Sequence, residues 1–177
     1  MSDQLLTDLE KFKDTYYVDN PKNKIFKKQQ KFDLADKITE KFDIRVLMER
    51  AIYFIPRTNK LYLDYPLMKL FVNPNNYMYL IQYTQSLLPD CIQQYGSFEC
   101  HLNLDTFTAT AAERHKNLVQ MFCEYDDGNT DYTDYLTKII VLNTPTSIDV
   151  ISKILMKFIE PEIKAKIVLT KKEKPMV

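Results

Sequence analysis

Three hydroxyls alternate at Thr106, Thr108 and Thr110, between a segment with strand character and the start of a helix. A strand-to-helix turn of this kind offers hydroxyls and free backbone amides together, which is chemistry for holding an anion such as a phosphate. The same threonines also suit plain turn and N-cap roles, and the sequence leaves both readings open. Groups for catalysis are sparse. The only histidines are His101 and His115, and His115 falls on an apolar helical face, where it reads as a packed core residue. No Gly-x-Ser-x-Gly elbow is present. Cys91, Cys100 and Cys123 have no CxxC neighbour, so a four-ligand zinc site is not expected. Asp126 and Asp127 precede Gly128 in a turn but lack the downstream Glu of a calcium loop. The two glycines, Gly96 and Gly128, exclude the glycine-rich loops that cradle nucleotide phosphates. The expectation is a non-enzyme with no metal and no cofactor.

Composition bounds the partners. The 177 residues carry 24 Lys+Arg against 24 Asp+Glu, and 45% are hydrophobic. A formally neutral chain lacks the positive surplus that nucleic-acid binding requires, although Lys164, Lys166, Lys171, Lys172 and Lys174 form a local basic tail. No apolar run reaches the roughly 20 residues of a membrane span. An odd cysteine count and no secretory signal predict a reducing, cytoplasmic setting, at most peripheral on membranes.

Elements must position these groups. Apolar spacing predicts helices over 2–17 and from about Asp33 to Phe42, with a further turn or short helix over Val46–Arg50. Ile52–Ile55 and Leu61–Tyr65 read as a hairpin around Pro56–Lys60. Asn73-Pro74 signals a helix start, Pro89 a break and Gly96 an end. Phe98–Leu104 alternates like a strand, and Thr110-Ala-Ala-Glu113 is a capping-box pattern opening a helix with Ala111, His115, Leu118, Val119 and Phe122 on its inner face. Ile139–Leu142 reads as a strand covered on both faces. Residues 147–159 form the most amphipathic helix, with Ile148, Ile151, Ile154, Leu155, Phe158 and Ile159 on one side. Ile167–Leu169 is a last short strand. The expected fold class is α/β: a mainly parallel sheet flanked by helices, in one domain over 1–177, with a helical region at 1–45 and an α/β core at 46–177.

Four fragments in this order resemble the CRAL-TRIO family of lipid-exchange domains, typified by secretory-pathway phosphatidylinositol/phosphatidylcholine transfer proteins. They are Leu88-Pro89-Asp90-Cys91, the stretch His101–Ala112, the stretch Tyr132–Pro145, and Ile148–Phe158 followed by Glu160-Pro161 and Lys166-Ile167. The likeness runs from about Ile52 to Leu169, and the family's Pro and Glu in the third fragment are Thr133 and Asp134 here. The resemblance implies a CRAL-TRIO-like fold in which helix 148–159 is an amphipathic lid over a lipid cavity, with Ile148, Ile151, Leu155 and Phe158 as its ligand-facing residues. It implies that Thr108 and Thr110 contact a phospholipid head, and that Asp134 and Lys166 match a carboxylate and lysine that hold an inositol head. The implied partners are a phospholipid or other hydrophobic small molecule and, transiently, a membrane surface. The alternative is a non-catalytic interaction scaffold with a filled cavity, dimerising through an exposed apolar helix.

Overall fold

In the computed structural model, which describes residues 2–126, 128 and 130–171, the apolar alternation of the mid-chain becomes an antiparallel hairpin of β1 (Ile52–Phe54) and β2 (Lys60–Asp64). Thr58 closes its turn, donating both its amide and its hydroxyl to the Ile55 carbonyl. The strands β3 (Phe98–Asn103), β4 (Leu136–Leu142) and β5 (Ile167–Leu169) then add in parallel, in the order β1-β2-β3-β4-β5. Parallel neighbours require crossovers. β2 reaches β3 through α4 (Tyr65–Phe71), α5 (Tyr77–Ser86) and α6 (Leu88–Tyr95). β3 reaches β4 through α7 (Ala109–Glu124), and β4 reaches β5 through α8 (Ile148–Leu155) and α9 (Pro161–Ala165). Ahead of the sheet lie α1 (Ser2–Asp19), α2 (Lys27–Lys41) and α3 (Ile44–Ala51), the last capped by the Asp43 carboxylate on the Arg45 amide at 2.8 Å.

Register sorts the side chains, because neighbours across a ladder share a face. One row runs Phe54, Leu61, Cys100, Ile139, Ile167, and the next runs Ile52, Leu63, Leu102, Val141, Leu169. Both rows are wholly apolar and lie on the same side. The opposite side carries Tyr53, Tyr62, His101, Ile140 and Val168 in one row, with Glu99 3.0 Å from His101. That outer face is exposed or half-exposed. The sheet therefore has one face for the helices and one for solvent.

The main core cluster joins Leu9 and Tyr16 of α1, Leu34 and Ile38 of α2, Leu47 and Met48 of α3, and Phe71 of α4 to Ile52, Leu61 and Phe98 of the sheet. The N-terminal helices and the sheet thus bury one another. A second, smaller cluster of Tyr65, Leu104, Ala111 and Val141 sits at the carboxyl end of the strands under the start of α7.

Several expectations need correction. α2 begins at Lys27, well before Asp33, because Lys and Gln sustain a helix without adding to an apolar stripe. α4 has no counterpart in the sequence reading. Five of its seven residues are buried, so it lacks the polar face that makes a helix visible as a period. Asn73 caps as expected, accepting from the Asn75 amide at 2.8 Å, but it opens a 3-10 turn (Pro74–Asn76) that then runs into α5. β4 is not covered on both faces, for only Val141 in it is buried. Helix 147–159 is divided into α8 and a 3-10 turn, Met156–Phe158, and α9 follows at the proline expected only to end it. In the Asp126–Asn129 turn, Gly128 donates its amide to the Asp126 carboxylate at 2.7 Å. Asp127, Asn129 and the tail residues Lys172 and Lys174 lie outside the described residues.

Candidate functional site: an apolar sheet face under helices

Part of the inward face of the sheet lies outside both core clusters. Cys100 and Ile139 lie in its central row yet belong to neither cluster. Desolvation by burial pushes the Cys100 thiol up to about 12, although its surface is only partly covered. Leu63, Leu102 and Ile167 beside it are also half-buried.

The helical side mirrors this. Ala111, Ala112 and His115 are buried in α7, whereas Leu118, Val119 and Phe122, expected on its inner face, are half-buried. α8 packs along α7. Ile151 is its only buried residue, at 3% exposure, and Ile148, Leu155 and Phe158 are half-buried. No apolar residue of α8 joins either core cluster. Two partly covered apolar surfaces thus belong to one crossover region, which is chemistry for hydrocarbon rather than for water.

Polar groups gather at two opposite edges. At the carboxyl edge, the Thr108 hydroxyl accepts from the Ala111 amide at 3.1 Å and caps α7. Thr108 is therefore the cap in place of Thr110, which stands exposed in the first turn. Thr106 has φ of 64°, a strained setting for a β-branched residue, and its hydroxyl accepts from Lys69 Nζ at 2.9 Å. Beside it, Asn103 Nδ2 donates to the Asp64 carboxylate at 2.8 Å, and Asn143 Nδ2 donates to Asn103 Oδ1 at 2.9 Å. Burial raises the Asp64 carboxyl, opposed by the Asn103 bond and the Lys69 charge. Asp64, Lys69 and Asn143 went unread in the sequence. The only hint of their setting was the chain-breaking Asn143-Thr144-Pro145.

At the amino edge, the 3-10 turn Tyr132–Tyr135 carries Asp134 into β4, and Lys166 immediately precedes β5. Lys166 Nζ donates to the Thr133 carbonyl at 3.0 Å and to Glu162 at 3.0 Å. The two segments are adjacent, but the ion pair of Lys166 is with Glu162 and not with Asp134. Strand length separates this edge from Thr108 and Thr110 by on the order of 20 Å. The head-group residues implied by resemblance therefore form two clusters and do not converge on a single group.

Among the described residues no helix is long and apolar enough to cross a membrane. A mainly parallel sheet with two apolar rows on one face, overlaid by helices whose apolar side chains remain half-open, fits one class: an α/β domain for a lipophilic ligand. Residues 77–176 match the CRAL/TRIO domain, more than half of the chain, and the protein belongs to that family. The match does not distinguish the secretory-pathway phosphatidylinositol/phosphatidylcholine transfer type within it. A comparison with curated proteins finds no relative that matches the chain.

Proposed function

We propose that the protein binds one phospholipid by its acyl chain against the Cys100–Ile139 row and exchanges it with membranes, acting by binding and not by catalysis. The half-covered Cys100–Ile139 pair, which neither core cluster includes, carries this reading. Burying apolar surface is worth about 25 cal/mol per Å², so a hydrocarbon chain is the favoured occupant of half-covered Leu, Ile and Phe side chains. α8 lies between Pro145 and Pro161 and is fixed by one buried residue, which suits a lid that moves as a unit. In this reading the exposed carboxyl-edge groups around Thr106, Thr108 and Thr110 meet a phosphate-bearing head, and the Asp134–Lys166 edge offers a second hydroxyl or phosphate contact.

Native mass spectrometry of the purified protein is expected to show a co-purifying lipid, or uptake of one after incubation with phosphatidylcholine vesicles. Cys100→Trp and Ile139→Trp, which would occupy the ground proposed for the acyl chain, should each abolish that added mass while the thermal transition persists. A wild-type protein that stays at its bare mass after vesicle incubation would end the proposal and favour the filled-scaffold alternative.

A further inference from the structure

The three most exposed large apolar side chains among the described residues lie close together in sequence: Ile25 at 84%, Val18 at 78% and Phe26 at 66%. All lie at the junction of α1 and α2, outside the matched family region. An isolated exposed apolar residue needs no explanation, but a cluster of this kind does. The segment that holds Ile25 and Phe26 is built and not merely loose. Gln30 accepts from the Asn23 amide at 2.9 Å and donates to the Asn20 and Pro21 carbonyls at 3.1 Å each. Asn23 Oδ1 in turn accepts from the amides of Ile25 at 2.8 Å and Phe26 at 2.9 Å. These side chains satisfy the turn's own backbone and leave both apolar residues pointing away from the core.

Charge says what covers them. Residues 21–31 contain Lys22, Lys24, Lys27, Lys28 and Lys31 and no Asp or Glu, in a chain whose charges otherwise cancel. The cationic field continues inward, for Lys31 feels the charges of Arg114, Lys69, Lys22 and Lys13. Arg114 forms no ion pair among the described residues, and its buried Nε has no hydrogen-bond partner. A protein core would reject five lysines beside an apolar tip. A bilayer with anionic head groups accepts both, the rings and branches entering the acyl boundary and the ammonium groups meeting phosphates and carboxylates.

We infer that the α1–α2 turn, with Ile25 and Phe26 as its tip and the flanking lysines as its collar, docks this protein on an anionic membrane surface. The inference concerns where the protein sits and does not rest on what occupies the sheet face. Its test is co-sedimentation with vesicles of phosphatidylcholine alone and of phosphatidylcholine containing about one-third phosphatidylserine, at low and high salt. Binding is expected to the mixed vesicles, weakly or not at all to the neutral ones, and to fall with salt. Ile25→Ser combined with Phe26→Ser should lower partitioning about tenfold or more, and Lys24→Glu with Lys27→Glu should lower it by a similar factor and flatten the salt dependence. Both double variants replace exposed side chains, and unchanged thermal melts and lipid content by native mass spectrometry certify the fold. Equal binding of wild type and both variants, or no preference for the anionic vesicles, would overturn the proposal.

Discussion

His115 Nδ1 lies 3.1 Å from the Tyr77 hydroxyl, and the ring stands edge-on to Phe32 at 5.9 Å. Burial, helped by the charges of Arg114 and Lys28, lowers its pKa from 6.5 to about 4. The folded protein therefore holds this ring neutral where the unfolded chain would begin to protonate it. The stability this contributes is complete above pH 6.5 and is lost progressively as pH falls through about 4. The full effect is on the order of 3 kcal/mol. Thermal melts across this window should show the midpoint falling with pH, and His115→Gln should reduce that slope. A slope unchanged in the variant would assign the acid sensitivity elsewhere. The apolar setting of this histidine was legible from its helical spacing. Its Tyr77 partner was not, since the two are 38 residues apart.

At the scale of the element, α8 is the part whose exposure the function would use, and its residues are not equivalent. Ile151 is its single buried residue, while Val150 beside it is 50% exposed. Ile151→Ala should lower stability by about 2–4 kcal/mol by leaving a void, whereas Val150→Ala should stay within about 0.5 kcal/mol. Denaturant titration separates the two, and equal losses would mean that α8 is seated differently. A charge at Ile151 would thus confuse unfolding with loss of lipid binding, which makes Phe158 and Leu155, both half-buried, the better probes of the proposed lid. The apolar stripe of this helix was plain in its sequence. How much of it the neighbours cover was not, because a stripe records preference and not contact.

For the whole molecule, the family match begins at Tyr77 and leaves β1, β2 and α1–α4 outside it. Those outer parts are nevertheless structural. β2 pairs with β3 along its length, and Leu9, Ile38, Met48 and Phe71 share a cluster with Phe98. A fragment of residues 77–176 would expose one edge of β3 and lose most of the main core, keeping only Tyr77, Leu80, Leu88, Cys91 and Phe98 of its buried residues. Circular dichroism of that fragment should show no cooperative thermal transition, and a sharp melt would refute the shared core. The same helices form the lysine-rich tip, so the added N-terminal layer both completes the core and carries the surface inferred to meet the membrane.

By itself the sequence determined where the strands run, most of the breaks and the apolar side of β3, while β4 read as covered on both faces. Phe98, Cys100 and Leu102 alternate within six residues, and Asn73, Pro89, Gly96 and Pro145 punctuate locally. Such signals are written in neighbouring residues, where period and backbone restriction act. Only the tertiary structure decided that Thr108 and Lys166 stand at opposite edges, that Asp64, Asn103 and Asn143 form one ladder, and that Ile25 and Phe26 stay exposed. Those outcomes depend on which strands pair and which helices cross over, choices made by contacts between residues far apart in the chain.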